Sequence, residues 1–117
     1  MESVEKLLAH ICPSICVPGS YIFSLVLLQT KKVVTERGVS ENICLLRDVY
    51  VPVADKIGKT KYAVTKAVGR TVDAIWMDGR NAALDEIIGR HFPQKPFPRE
   101  IILYCAHYLI YGKPYHT

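Results

Sequence analysis

Apolar residues recur along this 117-residue chain at intervals of three and four, the spacing that lines one face of an α-helix. From Glu2 to Ile11 the stripe is Val4, Leu7, Leu8 and Ile11. The prolines and glycine of Cys12-Pro-Ser-Ile-Cys-Val-Pro-Gly19 end it, since proline lacks a backbone donor and glycine accepts turn conformations. Ser20 is placed to cap a second helix running to Glu36, with Arg37-Gly38 closing it. Tyr21, Leu25, Leu28 and Val33 lie near one stripe of that helix. Ile22, Val26 and Leu27 widen the stripe, which predicts that most of this helix is buried.

A third helix opens at Ser40 or Asn42 and runs towards Tyr50; Pro52 interrupts or restarts it, and a short helix from Pro52 to Ile57 is the economical reading. Gly58-Lys59-Thr60 breaks the chain before a long helix from Lys61 to Met77, ended by Asp78-Gly79. Asn81 caps a helix through Gly89, and a proline-rich loop spans His91 to Pro98. The last helix runs from Pro98 to Tyr111 and stops at Gly112-Lys113-Pro114. No segment alternates apolar and polar positions long enough to make a half-buried strand. The prediction is all-α: one compact domain over residues 1–117, six-helix when the segments on either side of Pro52 count as one, and large enough to bury its own core.

Composition adds a charge argument. Half of the residues are hydrophobic and 22% are charged, a globular balance that excludes a disordered chain. The net charge is only +4, but the excess is local. Lys56, Lys59, Lys61, Lys66 and Arg70 share one stretch with no acidic residue, while elsewhere the two signs nearly cancel. Such a field suits a contact surface for an anion, and a solvated basic helix face is the plainer reading of the charge alone. Glu2 and Glu5 stand where a secretory signal carries positive charge. The apolar run from Tyr21 to Leu28 falls far short of the roughly twenty residues a membrane span needs. The expectation is a cytoplasmic protein without a membrane partner.

Two adjacent helices carry the functional signal. A helix-turn-helix needs a small residue where its first helix packs closely, and Ala54 fits. The turn needs glycine for a positive φ, and Gly58 fits; Lys59 stands where an apolar residue is more usual. Val53, Ile57, Val64 and Val68 are spaced to hold the pair together, which places the motif at about 52–77. In the second helix Val64, Ala67, Val68, Val72 and Ile75 form an inward stripe. Lys61, Tyr62, Thr65, Lys66, Gly69 and Arg70 fall on the other side. A recognition helix over 61–77 uses that division, with hydrogen-bonding side chains near its N-terminal half reaching base edges in the major groove. Lys66, Arg70, Lys61 and Thr65 would contact bases or phosphate, Tyr62 would stack on sugar or reach a phosphate, and Lys56 and Lys59 would hold phosphate. Thr60 is the expected N-cap, beside helix amides that suit a phosphate.

From Leu45 onward the chain resembles the DNA-binding effector domain of the sporulation-initiation response regulator family, the stage-zero sporulation protein A-like regulators. The resemblance rests on Val49-Tyr50-Val51-Pro52-Val53-Ala54-Asp55-Lys56-Ile57, on Val72-Asp73-Ala74-Ile75-Trp76 followed by Gly79, and on Lys95-Pro96 followed by Glu100-Ile101. Val17-Pro18 and Gly19-Ser20-Tyr21 extend it more weakly towards the N-terminus. It implies a six-helix domain that binds promoter DNA, with a homodimer on adjacent sites. Where that family carries several arginines, a glutamate and a histidine on the recognition helix, this chain has Ala63, Thr65, Lys66, Gly69 and Arg70. Phe97-Pro98-Arg99 replaces the polar loop that usually follows Lys-Pro, so the family's operator preference does not carry over. The receiver domain that family members carry in front of the effector domain is not among these 117 residues. The alternatives are an excised fragment and a stand-alone paralogue, and Met1 with a complete first helix favours the second.

Other chemistry is sparse. Cys12 and Cys16 lie close together near His10, but Cys44 and Cys105 are isolated, and a structural zinc site usually shows two close ligand pairs. Reduced, buried or half-buried thiols are expected, with no metal and no cofactor. His10, His91, His107 and His116 are scattered, and Cys105 and His107 are two apart and so point to different helix faces. No phosphate-binding glycine loop or metalloprotease motif occurs, so no catalytic residue is assigned and no enzyme is expected. Tyr104, Tyr108, Tyr111 and Tyr115 recur at helical spacing, either as a self-association surface or as packing of the last helix; packing is the reading favoured here. Trp76 reads as a core anchor. The function expected is DNA-binding transcription regulation. The rival is a protein-interaction domain on the same scaffold that has lost DNA reading, and a third option is DNA binding without sequence preference.

Overall fold

The computed structural model describes residues 4–12, 19–37, 43–78 and 80–115. These form six α-helices and no strand: α1 (Val4–Ile11), α2 (Ser20–Arg37), α3 (Val51–Ile57), α4 (Lys61–Asp78), α5 (Asn81–Ile88) and α6 (Pro98–Tyr111). A π-helical turn, Leu46–Tyr50, leads directly into α3. The all-α fold class is therefore as expected. α2 is the central helix, touching α1, α3, α4, α6 and the π turn, and α5 closes the far side against α1 and α6. Phe23, Val26 and Leu27 of α2 meet Leu7, Ile11, Ile75, Ile87, Ile102 and Leu109 in one continuous core.

α1 buries Val4, Leu7, Leu8 and Ile11, the stripe its spacing predicts. α2 is different. Its buried side is Ile22, Phe23, Val26, Leu27, Thr30, Val33 and Val34. Tyr21 and Leu28, expected inside, are 65% and 50% exposed. Apolar side chains surround this helix, so neighbouring helices select the buried face. The N-cap also moves by one residue: the Gly19 carbonyl accepts from the Phe23 N–H (3.0 Å), which makes Ser20 the first helical residue. The expected closure at Gly38, the proposed start at Ser40 or Asn42 and the residues 13–18 between α1 and α2 lie outside the described residues.

The short helix expected from Pro52 to Ile57 is α3, with the proline in its first turn, but no break in helical conformation precedes it. Tyr50 and Val51 keep right-handed helical dihedrals, and the chain is helical through the junction. The Val51 N–H donates to the Leu46 carbonyl, five residues back, and this wider turn accommodates the proline ring. Pro52 cannot donate to the Asp48 carbonyl, which instead accepts from Gln29 Nε2 (3.3 Å). The Asp48 carboxylate, which is buried, accepts from Arg37 (2.9 and 3.1 Å), from Arg47 and from the Cys44 N–H (2.9 Å). It thereby pins the end of α2 to the start of this helix.

α6 matches its expected bounds, with Gly112 left-handed at its end. At its start the Phe97 N–H donates to the Glu100 carboxylate (3.0 Å). α5 needs a correction: Arg80, in extended conformation, is its cap residue, and its N–H donates to the Ile11 carbonyl (2.7 Å), so Asn81 is already helical. Cys12 and Cys105 are buried, Cys44 is exposed against expectation, and Cys16 lies outside the described residues. Tyr104 and Tyr108 pack on the core, and Tyr115 folds back onto Tyr104 and His107. Trp76 is half-buried against the core. No helix of the described residues is long and apolar enough to cross a membrane.

Candidate nucleic-acid interface

α3, the turn 58–60 and α4 make the unit on which the functional expectation rests. α3 can lie close to its surroundings because Val53 and Ala54 are both buried and Ala54 is small. At its end Gly58 adopts φ 69°, ψ 33°, a left-handed conformation that costs glycine nothing. The Ala54 carbonyl then accepts from both the Gly58 and the Lys59 N–H groups, which closes the helix and turns the chain. Two residues on, Thr60 Oγ1 accepts from the Ala63 N–H (3.1 Å) and opens α4. The expected roles of Ala54, Gly58 and Thr60 in local structure thus all appear in the geometry.

α4 divides its faces sharply. Val64, Ala67, Val68, Val72 and Ile75 are buried, and so is Thr71, whose hydroxyl is satisfied by the Ala67 carbonyl (2.8 Å). This inner face docks on α2, α3 and α6. Tyr62, Thr65, Lys66 and Arg70 are exposed, and Lys61 and Gly69 are partly covered. The Lys61 ammonium lies 5.4 Å from the Tyr62 ring centroid, a cation–π contact at the helix start. Thr65 Oγ1 donates to the Lys61 carbonyl (2.9 Å), so its hydroxyl is turned along the helix. Tyr62, Lys66, Gly69 and Asp73 follow one another at helical spacing on the outer side, and Lys66 and Arg70 lie one turn apart.

Two of the expected residues belong to other surroundings. Lys59 is exposed in the turn itself. Lys56 is exposed on α3 but lines a groove shared with α2, where Lys32 is the other basic residue. Two further charges escaped the sequence reading. Asp73 is exposed on the outer side of α4, and the Lys95 ammonium, from the loop before α6, bonds its carboxylate. That pair offsets the negative charge that follows Arg70 by one turn of α4. It joins residues far apart in sequence, so helical spacing carries no sign of it. Among the described residues no group of three His, Cys, Asp or Glu side chains is placed to hold a metal ion.

No family model, curated protein or solved structure matches the chain.

Proposed function

We propose that this chain is a DNA-binding transcription regulator that lays α4 in the major groove of duplex DNA. The observation that carries the reading is the outer face of α4. From Lys61 to Arg70 it offers ammonium, guanidinium, hydroxyl and phenol groups without a carboxylate, on a helix whose other face is buried. Lys66 and Arg70 suit guanine edges or phosphate, Lys61 and Thr65 suit bases or backbone, and Tyr62 suits the sugar-phosphate edge. Lys59 and Thr60, at the turn, and Lys56 on α3 would add phosphate contacts. The resemblance to sporulation effector domains points the same way and adds paired copies on adjacent sites.

The rival reading keeps a specific observation in its favour. Ala63 and Gly69 leave smooth places on the outer side of α4, which suit a protein partner as well as a base edge. Selection from a random duplex pool at two salt concentrations separates these readings. DNA reading predicts enriched sequences and an affinity that falls steeply with salt. In the Lys66→Ala, Arg70→Ala double variant, affinity at low salt should fall about a hundredfold, and the salt slope should flatten by roughly two. Equal binding by that variant removes the site assignment, and no duplex binding at low salt removes the function.

A further inference from the structure

Beside α3, away from the outer face of α4, lies a second feature that DNA reading does not use. Leu25 and Leu28 of α2 and Pro52 and Val53 of α3 line a groove enclosing about 180 Å³, with Gln29, Lys32 and Lys56 completing its lining. Leu28 is half exposed there, although Val26 and Leu27 beside it are fully buried. On each helix a lysine follows an apolar wall residue by one turn, Lys32 after Leu28 and Lys56 after Pro52. Among the described residues no carboxylate lines the groove.

These features restrict the occupant. The volume is below the roughly 300 Å³ at which small-molecule sites begin, and it matches a single large side chain. Leu25, Leu28, Pro52 and Val53 gain nothing from a phosphate, which would bond the lysines and the Gln29 amide and leave the two leucines wet. Two ammonium groups on opposite walls favour carboxylates on either side of the inserted side chain, and they steer an acidic partner to the groove. We infer that the groove between α2 and α3 docks an acidic segment of a partner protein, which inserts one bulky apolar side chain between Leu28 and Pro52. The site goes beyond DNA binding and shares only Lys56 with it.

The test uses the full chain and methyl and amide NMR. The probe is a short synthetic peptide of aspartate and glutamate around one phenylalanine, and its control has alanine in that place. Binding should shift the Leu25, Leu28 and Val53 signals. The control should bind about tenfold more weakly or worse, as expected for losing one buried aromatic side chain. Leu28→Ser and Lys32→Glu should each weaken the phenylalanine peptide, with amide spectra reporting that both variants are folded. Leu28→Ser should leave duplex affinity unchanged. Equal binding of the control, or shifts confined to the outer face of α4, overturns the inference. So does duplex DNA that moves the Leu25 and Leu28 methyls as strongly as the peptide does, since the groove would then belong to the nucleic-acid surface.

Discussion

α2 and α4 are both 18 residues long and pack against one another, yet they differ in what their patterns disclose. α4 carries lysine, threonine and arginine on one side, so only the other side can be buried, and the expected stripe is the observed one. α2 carries apolar residues nearly all round. Its neighbours choose Phe23, Val26, Leu27 and Val34 for the core and leave Tyr21 and Leu28 in solvent. An apolar stripe therefore names a buried face only where the opposite face is polar. The contrast also has a functional side: the exposed surface of α4 from Lys61 to Arg70 is basic and hydrogen-bonding, and that of α2 sets Tyr21 and Leu28 among polar side chains, with Lys32, Glu36 and Arg37 towards its end.

The largest expected effect tests the face of α2. Phe23 is completely buried, so Phe23→Ala should lower unfolding stability by about 4 kcal/mol. Leu28→Ser, on the outward side, should change it by less than about 0.5 kcal/mol. Urea unfolding of both variants measures the difference. Comparable losses would mean that Leu28 is packed inside and the face assignment is wrong.

The contact between the two helices gives the next effect. Gly19, with φ 99°, begins α2 against the side of α4, and a Cβ there would stand 2.8 Å from the Ala67 Cβ and 3.2 Å from its Cα. Both the conformation and the space exclude a side chain without movement of the backbone. Gly19→Ala should therefore cost about 2 kcal/mol or more, read as a lowered urea midpoint. A neutral result would show that α2 and α4 do not approach so closely at this point.

The sequence discloses local devices well and long-range ones poorly. The helix stops at Gly58 and Gly112, the cap at Thr60 and the inward stripe of α4 each depend on residues a few positions apart. The basic outer face of α4 was legible for the same reason. Asp73 with Lys95, Asp48 with Arg37, and the groove joining Leu28 to Pro52 depend on helices meeting in space. Pro52 marks the limit between the two. Read locally it breaks a helix, but the π turn before it and the Gln29 amide supply what it removes.

The ends of the two helices differ in electrostatics as well. α4 opens on a neutral cap, the Thr60 hydroxyl, whereas α2 closes on a charged cluster. Hydrogen bonds from Arg47, then Arg37, then the Cys44 N–H hold the Asp48 carboxyl far below the usual carboxylate range. The folded state therefore binds fewer protons than the unfolded state over that window. Stability from this cluster is complete above the ordinary aspartate value of about 4 and declines as the pH falls below it. Hydrogen exchange should show the end of α2 opening as the pH is lowered from 5 to 2, ahead of the start of α4. Asp48→Asn should abolish that difference. Equal acid sensitivity at both ends, or no loss in either, contradicts the assignment.

The smallest effect has the opposite sign to that of Gly19 and bears on function. Gly69 sits within α4, and a Cβ built there meets nothing within 4 Å. Alanine at a helical position is preferred over glycine by about 1 kcal/mol, so Gly69→Ala should raise unfolding stability by that amount, read as a higher urea midpoint. The added methyl points from the same side of the helix as Lys66 and Asp73. If α4 enters the major groove as proposed, a methyl on the reading surface should weaken duplex affinity or change the sequences selected, even as the fold gains stability. If the variant is more stable and reads the same DNA with the same affinity, the contact surface must lie nearer the start of α4, around Lys61, Tyr62 and Thr65. Stability and affinity measured on one variant thus separate the structural role of this face from its role in recognition, which neither α2 substitution can do.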